Sequence, residues 1–467
     1  MKKVLLALSV LLISLGALAQ TPKYVFYFIG DGMGAHSVQL TEMYLASIQG
    51  RLGIEPLCFS QFPVATVATT YSYDSDVTDS AASGTALATG VKTKNGYLGV
   101  DPEGNPLRNM AEMAKAAGKK VGIVTTTAVN HATPGAFEAH QRDRGMYYEI
   151  SQDMIANGFD FYGGAGIYNE ERTYDKKPAP PIRPQFEAAG YTICNPQEFQ
   201  AGWQNMQKVL MLPGKDQSIT YSIDTVNDTP EHQQNHVTFK QLVESAVTFL
   251  MKDNKKGFFL MAEGSEIDHA NHSHDAATCI QEVIDFDEGI KVAFEFYKKY
   301  PKQTLIVVTA DHETGYLSLS PRGPKDLARL QVQKHSMNTL SSMLRHEMEV
   351  RQDILSWDEI KAFLGRELGL WDNISVSWEE EKVLRDIYEE TVAKRKSGSV
   401  KDLYADNAKI VAAGVNLLNR SSRVYWVSGH SAGYTPVYVI GAGSQYFTHK
   451  TDNAELARTI MQVAAYK

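Results

Sequence analysis

The chain has 467 residues, with 46 basic against 54 acidic side chains and a formal net charge of −8. That balance argues against nucleic acid or an anionic membrane surface as a partner. Three widely spaced cysteines (Cys58, Cys194, Cys279) without a CxxC pair exclude a disulfide scaffold, so any zinc falls to His and carboxylates.

The first element is a targeting segment. Lys2 and Lys3 precede an uncharged, leucine-rich run over 4–18 that ends in Ala17-Leu18-Ala19. This is the pattern of a secretory signal peptide cleaved after Ala19. The run is shorter than the about 20 residues that span a bilayer, and nothing later is apolar for long enough. The expected mature chain is 20–467, secreted or periplasmic, with no membrane span. Its balance is 44 basic against 54 acidic residues.

Four short apolar runs then recur, each followed at once by chemistry-bearing residues. The run at 24–29 enters Gly30-Asp31-Gly32-Met33-Gly34, and the run at 121–124 leads through three threonines to His131. The run at 258–261 enters Glu263 and Asp268, and the run at 305–308 enters Asp311-His312-Glu313. Helix-like stretches lie between them, among them 107–117 and 280–300. The alternation predicts an α/β fold, an αβα sandwich around a mostly parallel, doubly wound sheet. Ligands of such sheets bind at the carboxyl ends of strands, so the four clusters are expected to converge on one edge. The stretch from about 320 to 422 is different in character: charged, helical, and marked by capping boxes at Ser356/Glu359 and Ser377/Glu380. It predicts an inserted helical subdomain. Its tryptophans Trp357, Trp371 and Trp378 are expected to fill a local core, with a dimer surface or a lid as the alternative.

Within 263–274 stand three His and three carboxylates. Asp268 and His272, four apart, share a face of any helix that starts near Asp268. A mixed Asp/His pair suits Zn²⁺, and Glu263 is a hard oxygen donor better suited to Mg²⁺. Asp311-His312 alone is as compatible with a turn as with a metal, and its position after a strand raises it. Asp31 sits in a glycine-rich turn, where a carboxylate could bridge two cations. In Thr78-Asp79-Ser80-Ala-Ala-Ser83, Thr78 reads as a helix cap and Ser80 as a first-turn residue, where free N–H groups favour an oxyanion. No GxSxG arrangement is present, so a nucleophilic Ser80 would need activation by a metal.

Together Asp31-Gly-Met-Gly34, Thr78-Asp-Ser-Ala-Ala-Ser83, Gly90-Val-Lys-Thr93 with Asn95-Gly96, Glu263-x₄-Asp268-x₃-His272 and Thr309-Ala-Asp-His312 resemble the alkaline phosphatase family, in order and over nearly all of the mature chain outside 320–422. The resemblance implies a broad-specificity phosphomonoesterase with two Zn²⁺ and one Mg²⁺. Asp268, His272 and His430 would hold the first zinc. Asp31, Asp311 and His312 would hold the second, with Ser80 Oγ as a further ligand. Asp31, Glu263 and Thr133 would hold magnesium. Ser80 would attack phosphorus through a phosphoseryl intermediate, and Arg144 would hold the phosphate, with Arg142 its rival. The resemblance also implies small phosphate monoesters as substrates and a homodimer. Departures from the best-known members fall at Thr314, His131, His269 and Ser431, around the ligands. The competing readings are a phosphodiesterase or sulfatase of the same superfamily, and a non-catalytic secreted protein that captures phosphate or metal. His36, His140, His274 and His449 read as structural or surface residues.

Overall fold

The computed structural model describes residues 21–467 except 215–216, 230–235, 320–325, 352, 394–403 and 428. The proposed signal segment at 1–19 therefore lies outside the described residues. The central sheet has ten strands. In chain order these are β1 (Tyr24–Gly30), β2 (Val64–Thr69), β3 (Lys120–Thr125), β4 (Phe161–Gly163), β5 (Tyr191–Cys194), β6 (Lys208–Met211), β7 (Phe258–Gly264) and β8 (Thr304–Thr309). Three short strands, β9 (Glu313–Thr314), β10 (Ser318–Leu319) and β11 (Val424–Tyr425), and then β12 (His430–Ser431) form two small ladders beside it. β13 (Thr435–Gly441) and β14 (Thr451–Asp452) complete the main sheet. Its order is β14-β2-β13-β8-β1-β7-β3-β4-β6-β5, with β13 antiparallel to both of its neighbours and the other pairs parallel.

β1 is buried at all seven positions, as its continuous apolar run requires of a strand covered on both faces. Alternate side chains divide between two cores: Val25, Tyr27 and Ile29 enter one, and Tyr24, Phe26 and Phe28 the other. The first core is closed by the helices Ser80–Thr89, Met110–Ala116 and Asn453–Val463, and the second by Phe239–Met251 and Ala276–Lys299. Helices on both faces of a mostly parallel sheet make this an αβα sandwich.

In a third core the helices Met337–Arg351, Trp357–Leu368, Trp378–Glu390 and Tyr404–Ser421, which lie between β10 and β11 in the chain, pack with Leu40 and Tyr44 of the helix Ala35–Ile48 and with Ala276 and Ile280 of Ala276–Lys299. Both capping boxes read from the sequence form, Ser356 with Glu359 and Ser377 with Glu380. Trp357 is buried and packs at a right angle to Trp371, whereas Trp378 is 73% exposed. The three cysteines are free thiols. Among the described residues no helix is long and apolar enough to cross a membrane.

Candidate active site and metal centre

The four strands whose ends carry the acidic and histidine clusters are neighbours in the sheet, in the order β8-β1-β7-β3. Register brings Ile29 of β1 opposite both Glu263 of β7 and Thr309 of β8, and Thr125 of β3 opposite Glu263. The chain leaves all four in the same direction, so Asp31, Glu263 and Asp311 meet at one edge. Gly32 turns the chain away from β1 at φ +66, a left-handed conformation that favours glycine. A Cβ there would stand 2.5 Å from Asp268 Oδ1, so the turn also lets backbone approach that carboxylate. Gly32 N donates to Asp311 Oδ1 at 3.2 Å, tying the ends of β1 and β8 together.

Three clusters have donor atoms mutually close enough to share an ion: Asp31, Asp311 and His312; Asp268, His312 and His430; and Asp31, His131 and Glu263. His272 stands beside the second, with Nε2 3.4 Å from Asp268 Oδ2 and 3.1 Å from His430 Nε2. Asp268 and His272 lie on the helix Glu266–His272, which begins two residues before Asp268. His312 Nε2 lies 3.4 Å from Asp31 Oδ1 and 3.3 Å from Asp311 Oδ2. The His312 and His430 rings stack with centroids 3.8 Å apart.

Burial raises the pKa of Asp31 well above the carboxylate range, reinforced by Asp311, Asp268 and Glu263 around it. Burial raises Asp311 too, and pushes Glu263 up to about 7 against the opposing hydrogen bond of Thr125 and the nearby Thr133 hydroxyl. His312 is lowered to about 3 by burial and by His430, so it is a neutral donor at alkaline pH. Asp31 Oδ1, Asp311 Oδ2 and Glu263 Oε1 are buried and find no hydrogen-bond donor among the described residues. Crowded carboxylates with unsatisfied oxygens beside neutral imidazoles fit divalent cations. Each cluster mixes carboxylate oxygen with imidazole nitrogen, a donor set that zinc accepts, and Glu263 adds a hard oxygen donor of the kind magnesium takes.

Ser80 is the first residue of the helix Ser80–Thr89 and is 3% exposed. The cap is Asp79 rather than Thr78: the backbone at Asp79 is extended and its Oδ1 accepts from Ala82 N at 2.9 Å. Either residue type caps well, and the deciding factor is tertiary. Asp79 Oδ2 also accepts from Gly96 N at 3.0 Å and from Arg144 Nη1 at 3.2 Å, which gives the Asn95-Gly96 segment its purpose. Ser80 Oγ reaches to 3.1 Å from His312 Nε2. Arg144 therefore lies beside the serine, whereas Arg142 turns outward to the carbonyls of Glu103 and Gly104.

Thr133 is buried at the start of a short turn of helix, Ala132–Gly135, and faces Glu263. His131 has its pKa lowered far below the imidazole range by burial and by Arg144, and lies 3.3 Å from an Arg144 nitrogen. Burial works against protonation of His269, but its Nδ1 donates to Glu266, and that bond together with the charges of Glu266, Asp268 and Glu263 lifts the pKa to about 9. His140 is tied to Gly99 O and Glu112, and His274 stacks on Trp426. Ser431 donates to Glu313, which also receives the amides of Tyr316 and Leu317, so it braces the loop.

Four contacts were not visible in the motifs. Thr125 Oγ1 donates to Glu263 Oε2, and Thr314 Oγ1 bridges Asp268 Oδ1 and His312 Nδ1. Glu266 holds His269. The position of Thr125 at the end of an apolar run was the one available signal for it.

A family profile described as alkaline phosphatase matches residues 22–171 and 185–466. The chain is similar to Alkaline phosphatase 3 of Bacillus subtilis, 31% identical over 455 residues, covering 95% of this chain and 89% of that one. It resembles the solved cold-active alkaline phosphatase of the psychrophile Shewanella sp. at 29% identity and a TM-score of 0.74, covering 94% of this chain and 99% of that one. The Thermus thermophilus alkaline phosphatase structure aligns at 25% identity and a TM-score of 0.76, covering 97% and 94% respectively. Profile, relatives and fold agree with a site built of carboxylates, imidazoles and one buried serine: the chain belongs to the alkaline phosphatase family, and it is a metal-binding phosphatase.

Proposed function

We propose that this phosphatase hydrolyses phosphate monoesters of broad range through a phosphoseryl intermediate on Ser80, at a site for two zinc ions and one magnesium ion. The observation that carries the reading is the approach of Ser80 Oγ to His312 Nε2 at the start of a helix, with Arg144 held beside it by Asp79. Asp268, His272 and His430 would hold one zinc; Asp31, Asp311 and His312 the other; Asp31, Glu263 and Thr133 the magnesium. When bound, these ions supply charge for the phosphoryl oxygens and lower the pKa of coordinated hydroxyls.

The protein's own groups account for the rest. Ser80 Oγ, fixed in a helical first turn, gives up its proton to solvent and attacks phosphorus in line with the ester oxygen. The P–O ester bond breaks with its electron pair on the departing oxygen, and that alkoxide takes a proton from solvent to leave as the alcohol. Arg144 offers a planar fork to two non-bridging oxygens, a match that lysine lacks. The positive dipole end of the Ser80–Thr89 helix favours the same oxyanion. Water then hydrolyses the phosphoserine, releasing inorganic phosphate and restoring the serine hydroxyl. Such a transfer needs positioning and charge stabilisation more than covalent assistance.

The basic start and apolar run of 1–19 support export with cleavage after Ala19, to a secreted or periplasmic location. The third core, which joins the helices of about 320–422 to Leu40, Tyr44, Ala276 and Ile280, supports reading 20–467 as one catalytic unit with a helical insertion at about 320–422. Family membership supports a homodimer. Release of phosphate by the zinc- and magnesium-loaded protein, from a monoester and from the matching diester, tests the activity. Rapid monoester turnover that Ser80→Ala abolishes is the expected result. Preference for the diester would move the protein to the phosphodiesterases, and silence from both would favour a binding protein.

A further inference from the structure

A row of three imidazoles leads outward from the serine. Ser80 Oγ is 3.1 Å from His312 Nε2, the His312 ring stacks on His430, and His430 Nε2 is 3.1 Å from His272 Nε2. Where the row ends, at the half-exposed His272, a cavity of about 620 Å³ opens to solvent. An in-line displacement sends the leaving oxygen away from the nucleophile, and this cavity lies at the end of the imidazole row remote from Ser80.

Its walls are polar and built from three distant parts of the chain. One is the segment holding Thr220 and Tyr221. The second is the helix Glu266–His272, which contributes Glu266 and His269, and the third is the start of the helix Met337–Arg351, with Asn338. The first two are joined through Thr126, whose carbonyl accepts from Ile219 N and whose hydroxyl accepts from Ser265 N and Glu266 N. Asp224 clasps the third wall, accepting from Ser336 N at 2.8 Å, Ser336 Oγ at 2.6 Å and Thr339 Oγ1 at 2.9 Å.

At the inner wall Glu266 is 1% exposed. Its Oε2 pairs with His269 Nδ1 at 3.0 Å, while its Oε1 is buried and has no hydrogen-bond partner among the described residues. A buried carboxylate oxygen without a donor is costly, and a donor on a ligand offsets that cost. Burial and the nearby Glu266 push the Tyr221 phenol far above its ordinary range, so it keeps its hydroxyl proton at alkaline pH.

We propose that this cavity is a leaving-group subsite in which Glu266 Oε1 accepts a hydrogen bond from the departing alcohol, selecting phosphate monoesters of polyhydroxylated alcohols over aryl esters. The inference rests on the reading of Ser80 as nucleophile. A contact to the leaving group raises kcat/KM because it persists as the ester bond breaks. The third wall comes from the proposed helical insertion, so that segment would help to set specificity as well as to pack the third core.

The test uses the metal-loaded, full-length protein and the ratio of kcat/KM for glycerol 2-phosphate to that for phenyl phosphate. Glu266→Leu is expected to lower this ratio about tenfold or more, the size of one hydrogen bond to a charged acceptor. A general loss of structure would lower both values together and leave the ratio alone. Because leucine also removes the partner of His269, Asn338→Ala on the exposed rim is measured beside it, and it decides if the first variant has lost its thermal transition. A lowered ratio in the deciding variant supports the subsite. An unchanged ratio, with both esters turned over by the unmodified protein, overturns the subsite and leaves the phosphomonoesterase reading standing. Failure of the unmodified protein to cleave either ester overturns both.

Discussion

Ser80 and His312 are 232 positions apart in the chain, yet Ser80 Oγ stands 3.1 Å from His312 Nε2. One residue opens a helix and the other follows β8, and both are almost fully buried. Burial and His430 hold His312 near a pKa of about 3, so above mildly acidic pH it meets the serine as an uncharged nitrogen. A serine placed this way is expected to carry the phosphoryl group. Rapid acid quenching of the loaded enzyme during turnover, followed by peptide mass spectrometry, should find covalent phosphate on the peptide that contains Ser80. Ser80→Ala should lose that signal and about 1,000-fold or more of kcat. Phosphate on any other residue would refute the assignment.

The two neighbouring arginines make opposite forecasts. Arg144 bonds to the carboxylate that caps the Ser80 helix, whereas Arg142 bonds to exposed loop carbonyls. Arg144→Lys should lower kcat/KM by about 10- to 100-fold, because a point charge replaces a two-pronged donor. Arg142→Lys should stay within about twofold, as surface changes of this kind do. Steady-state kinetics on one aryl phosphate compares them, and the reverse order would transfer the role to Arg142.

Metal removal and pH are linked by the crowded carboxyls. Folded-state pKa values are raised for Asp31 and Asp311, and to about 7 for Glu263. Stability from these groups is fully present below their unfolded pKa of about 4 and is lost as pH rises through the folded value. His269, raised to about 9, acts in the same direction. His312 and His131 are lowered, so their contribution is present above about pH 6.5 and lost only below it. Between about pH 6.5 and 8 the carboxyls and His269 therefore decide, and the metal-free protein should weaken as pH rises. Zinc and magnesium replace the missing protons, so the gap in Tm between loaded and chelator-treated protein should widen across that window. A constant or narrowing gap in differential scanning calorimetry would contradict this account of the cluster.

Asp224, on the cavity wall and outside the proposed metal ligands, supplies a stability forecast. It accepts three hydrogen bonds at the start of the helix Met337–Arg351 and is itself nearly buried. Asp224→Ala leaves those donors unmatched and should cost about 1–3 kcal/mol. Chemical denaturation monitors the loss, and a change within error would mean that water takes over the clasp.

Gly32 offers a backbone test. At φ +66, and with a Cβ that would meet Asp268 Oδ1 at 2.5 Å, Gly32→Ala should strain the turn and push Asp268 away from His430. Weaker zinc binding by about tenfold or more, measured by competition with a chelator, is the expected outcome, since ligand-orienting contacts typically have effects of that size. Unaltered affinity would show that the turn yields without moving Asp268.

The sequence by itself determined the architecture and the ends of the strands. Apolar runs at 24–29, 121–124, 258–261 and 305–308 could be buried only as covered strands, and the polar residues after them had to surface at one sheet edge. Asp31, Glu263, Asp311 and His312 were legible for that reason, and the ordered motifs made the family legible. Tertiary structure alone decided the partners. Asp79 rather than Thr78 caps the Ser80 helix because Gly96 and Arg144 converge on it. Thr125 finds Glu263, and Thr314 finds Asp268 and His312, across strand register and loop closure that local sequence does not encode. The cavity beside His272 joins segments near 220, 266 and 338, which have no common pattern in the chain. Local periodicity fixes which face of an element is buried; which distant side chain it meets there depends on how the layers pack.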